Sequence, residues 1–403
     1  MDKRRTRRVA YAVASALIAG GAGAALAVGG AGGAPGAGTE PSALTAPGTA
    51  VAVTAASEPG WRIAQVLPNV TAGGLWAGGA WDAWLAGDEC ADPATCGATD
   101  ESAGTLVIRH WDGASWRVVT PPKAYVDSDL DQGAEAVVAT SAANAWIFAG
   151  RGLQQVDYTD ALHWTGNGWA KPVRIGDTMV QAAAGAAGQV WAFGTPLAYG
   201  QVGLFAHYNG KSWTHGSFPV NGTAAAALSV SDVWAGGTTA TGLGIEHWNG
   251  RAWRATPLPS LGLGSPAETI GAFVAGITAL SADDVWAVIG TYASTGTNPP
   301  GTIVLHWDGG KWTRVGFPYA GSASSPVAAD GHGGIWLAMF YGSGAQATEW
   351  ICHDSAGHWT RTSVTSLVSD TFYLTWIPGT RSLWAAGDQA DNGLNAVLLK
   401  YGP

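Results

Sequence analysis

Asp127-Ser128-Asp129-Leu130-Asp131-Gln132-Gly133-Ala134-Glu135 sets carboxylates at alternate positions. That spacing lets one turn of chain aim several hard oxygens at Ca²⁺. The stretch is similar to the start of a D-x-D-x-D-G loop, with Gln132 in the glycine place and Val138 where a closing Glu would stand. Asp127, Asp129, Asp131 and Glu135 are therefore the candidate calcium ligands, with Asp157 and Asp160 in the next blade's b–c loop as further oxygen donors. A solvated acidic loop is the competing expectation. Calcium is the single cofactor suggested.

Six of the nine His, at 110, 163, 207, 247, 306 and 353, precede an aromatic residue or Asp in a recurring phrase. Recurrence argues against one metal centre: equivalent positions in a repeat are spread around the fold, too far apart for coordination at ~2 Å. Hydrogen bonding beside a Trp is the expected role. Cys90 and Cys96 bracket a short polar insertion and are expected to form a local disulfide. Cys352 is expected to be a buried free thiol.

The elements that hold these residues repeat seven times. One anchor is a Trp after a small or β-branched residue: Trp84, Trp146, Trp191, Trp234, Trp286, Trp336 and Trp384. A second is His-aromatic, a turn, then Trp, as in His110-Trp111…Trp116 and His306-Trp307…Trp312. The first anchors are 62, 45, 43, 52, 50 and 48 residues apart, close to the roughly 40–50 residues of a propeller blade. Each unit divides into four short apolar runs, and Asn-Gly or Asp-Gly after the third marks a hairpin. The last unit stops at Lys400-Tyr401-Gly402, and Gly60-Trp61-Arg62 supplies its missing piece. A ring needs such closure to abolish its exposed edge; a linear array does not. The expected fold is all-β: a seven-bladed β-propeller with four-stranded antiparallel blades, closed by the N-terminal strand.

The phrases V-W-A and H-W-x-G-x-x-W, over residues 60–402, resemble kelch and tectonin propeller repeats, most of all those of secreted actinobacterial proteins. The resemblance implies a propeller. Kelch-like propellers include both binding scaffolds and enzymes, and tectonin-like ones include sugar-binding lectins. Of the Gly-Gly pair usual in kelch repeats, only Gly236-Gly237 is present.

Residues 1–27 read as an export signal: Lys3, Arg4, Arg5, Arg7 and Arg8 precede an Ala/Gly-rich apolar stretch and a small-residue cleavage site at Ala25-Leu26-Ala27. Arg7-Arg8 resembles a twin-arginine signal. Residues 28–58 read as a disordered Gly/Ala/Pro/Thr linker, and 59–403 as the propeller. The expected location is extracellular and bacterial, with no stable membrane insertion once the signal is cleaved. Without 1–27 the chain keeps 15 basic and 28 acidic residues, a net charge of −13, which repels phosphate backbones and excludes nucleic acid as a partner.

Eighteen of the 22 Trp sit at repeat positions and are expected to pack between blades. Trp76, Trp81, Trp350 and Trp376 stand outside the pattern and are the candidate ligand-stacking residues, core filling being the alternative. Calling the strands a to d outward from the axis, the gaps from the b-strand Trp to the c-strand His (Lys400 in the last unit) are 26, 17, 16, 13, 20, 17 and 16. The d–a spans also vary, while c–d spans stay short. One face thus carries the insertions, and binding residues are expected there. No arginine cluster with an acid/nucleophile pair and no Tyr-Cys-His copper set occurs, so catalysis has no motif behind it. The expected function is a monomeric, secreted, non-enzymatic scaffold recognising an extracellular protein or carbohydrate through the loop-rich face. The alternative is a carbohydrate-active enzyme, a lyase or glycosidase, with an axial site.

Overall fold

Runs rich in β-branched, aromatic and small residues become strands, because these side chains suit a pleated surface buried on both faces. The computed structural model describes residues 60–90, 104–126, 131–152, 158–196, 203–263, 271–291, 301–324, 326–342, 347–389 and 395–403. It contains seven antiparallel sheets. Blade 1 is Val70–Gly79, Asp82–Cys90, Gly104–Trp111 and Trp116–Val118; blade 2 is Asp131–Ser141, Asn144–Gly152, Tyr158–Trp164 and Val173–Gly176. Blade 3 is Thr178–Ala186, Gln189–Pro196, Gly203–Tyr208 and Trp213–Phe218; blade 4 is Asn221–Ser229, Asp232–Thr239, Gly242–Trp248 and Trp253–Ala255. Blade 5 is Ala272–Ser281, Asp284–Thr291, Gly301–Trp307 and Trp312–Val315.

The last two blades depart from the simple pattern, blade 6 in its strand count and blade 7 in where its fourth strand comes from. In blade 6 the inner strand is split into Ser322–Ala323 and Ala328–Ala329, ahead of Ile335–Tyr341, Thr348–Ser355 and His358–Ser363. Pro326 falls in the break; it has no N–H to give the ladder. Blade 7 is Asp370–Trp376, Leu383–Gln389 and Asn395–Tyr401, with Trp61–Leu67 as its outermost strand. Trp61 pairs with Tyr401 and Leu67 with Ala396, antiparallel, and the Arg62 guanidinium donates to the Gly402 carbonyl. The ring closes through the N-terminal strand as expected.

The inner strands pack side by side around the axis, blade 1 against blade 7 included. Their register slips at matching places, between Ala72 and Gly74, Ala134 and Ala136, Val180 and Ala182, Gly222 and Ala224, Val274 and Gly276, and Thr371 and Tyr373. Such bulges twist and bend a strand, and here they also bring backbones of adjacent blades together. A Cβ at Gly73 would lie 2.1 Å from the Ala134 carbonyl oxygen, so no larger residue fits there. At the equivalent place in blade 4, the Thr223 hydroxyl donates to the Val274 carbonyl at 2.8 Å.

The hydrophobic core lies between blades, and its largest pieces are the repeat Trp. Trp84, Trp191, Trp234 and Trp384 are all essentially sealed from solvent. On the c–d side, Asn249 and Asp308 each cap their turn by accepting two backbone N–H bonds, at 3.1 and 3.1 Å and at 3.0 and 2.9 Å. Gly250 and Gly309 then take φ of 85° and 89°, the left-handed region that this Asx-Gly turn requires.

Candidate functional site

The repeated His residues build a structural layer. Each c-strand imidazole lies on the b-strand Trp of its own blade: Trp146–His163 at 3.9 Å between centroids, Trp234–His247 at 4.1 Å and Trp336–His353 at 3.8 Å. Its Nε2 hydrogen-bonds to a side-chain oxygen: Asp82 for His110 (3.0 Å), Asn144 for His163 (2.7 Å) and Gln189 for His207 (2.9 Å). Asp232 serves His247, Asp284 serves His306 (both 2.9 Å) and Asp330 serves His353 (3.1 Å). In five of these the oxygen comes from the residue two before the Trp, so Asp/Asn/Gln-x-Trp was a legible signal that the repeat pattern left aside. In blade 6, Asp330 reaches back from the a–b turn. Burial pushes its carboxyl up, but the His332 and Gly334 N–H groups and the His353 ring outweigh that and hold it below the usual value.

The four Trp outside the repeat do not come together. Trp76, half-buried on the inner strand of blade 1, packs against the clusters on both sides of blade 2. Trp350 donates to the Thr348 hydroxyl at 3.1 Å and lies under the Arg361 guanidinium at 4.3 Å. Trp376 donates to the Thr380 carbonyl at 2.8 Å and covers Gly331 of the neighbouring blade. Trp81 alone is open, 73% exposed on the tight turn of blade 1 with its ring edge against Gly113.

Of the candidate calcium ligands, Asp127 and Asp129 lie outside the described residues, and Asp131 begins the inner strand of blade 2. Glu135 is four residues further along that strand, at its bulge. Its Oε2 accepts from the Thr159 hydroxyl at 2.7 Å and from the Val180 backbone N–H of blade 3 at 2.9 Å. Among the described residues no group of three or more His, Cys, Asp or Glu is poised to hold a metal. Cys90 ends a strand of blade 1, and Cys96 lies outside the described residues, as do most connections of the loop-rich face. Cys352 is a buried free thiol whose ionisation burial pushes far up.

Other titratable groups are spent on packing. The insertion after blade 1 turns once at Lys123–Tyr125 and buries Tyr125, whose hydroxyl donates to Asp160 of blade 2. Arg151 lies 3.8 Å from the same carboxylate and 4.7 Å over the Tyr125 ring. Asp160, Glu246, Glu349 and Asp354 are all buried, and all lie on third strands, off the axis, in blades 2, 4 and 6. Burial raises the Glu246 carboxyl; burial also raises that of Asp354, opposed by the His353 ring and the Gly357 N–H and reinforced to a smaller degree by the Asp330 charge.

One open cleft of about 360 Å³ lies on the tight-turn face between blades 2 and 3. It is lined by Asn144, His163, Thr165, Gln189, Tyr208 and Asn209, with the backbone of Ala187-Gly188 and Gly210. Burial holds the His163 and His207 rings below the usual imidazole value, and neither has a carboxylate for a partner.

No protein-family model and no curated protein matches this chain. Solved structures do. YCF48 bound to D1 peptide is 14% identical with a TM-score of 0.51, covering 88% of this chain and 100% of that one. A chain of the mitotic checkpoint complex is 9% identical with a TM-score of 0.56, covering 91% and 99%. The GH74 xyloglucanase from Xanthomonas campestris is 12% identical with a TM-score of 0.50, covering 83% of this chain and 54% of that one. The RRP9 WD40 repeats are also similar, at 11% identity and a TM-score of 0.52, covering 88% of this chain and 100% of that one. At such identities the likeness is one of fold alone: a β-propeller repeat architecture of WD40-like type, hosting binding proteins and enzymes alike.

Proposed function

We propose that this chain is a secreted, non-enzymatic binding scaffold for an extracellular protein or glycan. One observation carries it. The groups able to do acid–base chemistry are tied into the blades, with six His stacked on Trp and hydrogen-bonded to a side-chain oxygen. Of the buried acids, Asp160 and Glu246 lie on the third strands of blades 2 and 4, Glu349 and Asp354 share that of blade 6, and Asp330 is bound to His353. An axial glycosidase or lyase needs instead two carboxyl groups facing one bond, roughly 5–10 Å apart. The basic, apolar N-terminal stretch supports export. The long b–c connections give the loop-rich face to a macromolecular partner. Among the similar folds, one is bound to a peptide and another is a xyloglucanase, so both ligand classes belong in the test.

The test is the purified chain screened on peptide and glycan arrays, with parallel assays for new reducing ends and unsaturated products on a polysaccharide panel. Saturable binding without turnover is expected. Polysaccharide cleavage that survives repurification would replace this reading with the enzymatic one.

A further inference from the structure

The ring departs from its own repeat three times in blade 3, and the three departures meet in the cleft against blade 2. First, in blades 1, 2, 4 and 5 the a–b hairpin has a second register slip beside its turn. Blade 3 instead pairs Ala186 directly with Gln189 and turns through Ala187 (φ 48°) and Gly188 (φ 79°). That is a two-residue turn with positive φ at both corners, the tightest hairpin available. It shortens the wall of the cleft.

Second, Gln189 stands where blades 1, 4 and 5 carry Asp82, Asp232 and Asp284, and Asn144 replaces Asp on the facing blade. The cleft therefore loses both carboxylates; no Asp, Glu, Lys or Arg lines it. Third, Tyr208 occupies the place of Trp111, Trp164, Trp248 and Trp307. In blades 1 and 4 that indole closes onto its own a–b turn, Trp111 donating to Ala80 at 3.0 Å and Trp248 to Val230 at 3.2 Å. Tyr208 packs on Trp146 of blade 2 at 4.7 Å, and its hydroxyl has no partner among the described residues. The smaller ring leaves the turn uncovered.

What remains is a neutral, hydrogen-bonding surface. Asn144 is oriented by donating to the Thr140 hydroxyl at 2.9 Å, so its oxygen faces His163, which donates from Nε2. Gln189 spends its oxygen on His207, leaving its Nε2 without a partner among the described residues. Asn209 spends its oxygen on the Lys211 and Ser212 N–H groups, leaving its amide nitrogen likewise. Two amide donors and a phenol that can donate or accept thus border a volume within the roughly 300–1,000 Å³ of small-molecule sites. An ion would find no counter-charge. An extended peptide would find no strand edge to pair with, because turns form the walls.

Resting on the binding-scaffold reading, we propose that the blade 2–blade 3 cleft binds a neutral, hydroxyl-rich sugar ring, using Gln189, Tyr208 and Asn209 as its hydrogen-bonding groups.

The test uses Tyr208→Trp, which restores the ring's own repeat residue and so keeps the fold. Methyl glycosides of glucose, galactose, mannose and N-acetylglucosamine are titrated by calorimetry and saturation-transfer NMR, alongside the matching immobilised oligosaccharides. Wild type is expected to bind at least one glycoside. Tyr208→Trp is expected to weaken it by about tenfold or more with a melting temperature equal to or above wild type, and Asn209→Ala to weaken it less. Binding of both probe forms, or of one, supports the proposal and separates a free sugar from a glycan end as the source. Sugar binding that Tyr208→Trp leaves intact would overturn the assignment of the cleft while leaving a scaffold. So would wild-type binding of peptides alone, and wild type that binds no sugar probe overturns the proposal outright. Polysaccharide cleavage would remove the scaffold reading, and Tyr208→Trp would still judge the cleft separately.

Discussion

The boundary between blades 4 and 5 and the boundary between blades 2 and 3 are built on one plan and end differently. At the first, Asp232 accepts from both Trp234 and His247 at 2.9 Å, and Trp307 and Trp312 of blade 5 pack on Trp234 at 5.3 and 5.6 Å. Trp234 is fully buried. At the second, Asn144 accepts from His163, the buried Trp146 Nε1 has no partner, and Tyr208 takes the place of the covering Trp. The contrast lies in the acceptor and the covering ring: Asp232 serves two donors where Asn144 serves the one imidazole. A replaced acceptor, a smaller ring and a tighter hairpin accompany the open boundary.

The comparison depends on the ring being closed, so its removal comes first. Deleting residues 59–67 takes away the outer strand of blade 7 and exposes Ala396–Leu399 as an edge; loss of cooperative melting and aggregation by light scattering are expected. A monomer with an unchanged melting temperature would refute closure. Next, Trp234→Ala should lower stability by about 3–5 kcal/mol in urea titrations, the range for a buried aromatic. An unchanged midpoint would show that the sealed boundary is not sealed.

Smaller effects sharpen the contrast. Asp232→Ala strands two donors, His247 Nε2 and Trp234 Nε1, whereas Asn144→Ala strands only His163 Nε2 and the Thr140 contact. The first should cost about 1–3 kcal/mol and visibly more than the second; equal costs would erase the distinction. The smallest effect is a pH dependence. Burial depresses the folded pKa of His163 and His207 below 6.5. The unfolded chain then binds more protons near and below that value, so these rings favour the folded state above it and lose that advantage as pH falls. Melting temperatures measured from about pH 7.5 down to about pH 5.5 should fall less in the Asn144→Asp, Gln189→Asp double variant, where carboxylates favour the imidazolium. An identical slope would remove these His from the balance.

Fold and closure were legible because they depend on recurrence. Seven Trp recurring every 43 to 62 residues, Asn-Gly and Asp-Gly turns, and a final unit completed by Gly60-Trp61 leave only a ring. The structural role of the His followed from the same repetition, and five of their six partners stand two residues before the blade's Trp. The candidate site was not legible in this way. Trp76, Trp350 and Trp376 break the sequence pattern yet fill space between or beside blades, because which face of a strand points outward is decided by packing. Conversely, Tyr208 for Trp, Gln189 for Asp and a hairpin one residue tighter look like ordinary drift along the chain. Composition and periodicity alone determined how many blades this protein has, which rings pack between them and how the circle is closed. The tertiary structure decided where that packing fails to close, since a cleft exists only when deviations on two separate blades face each other across one boundary.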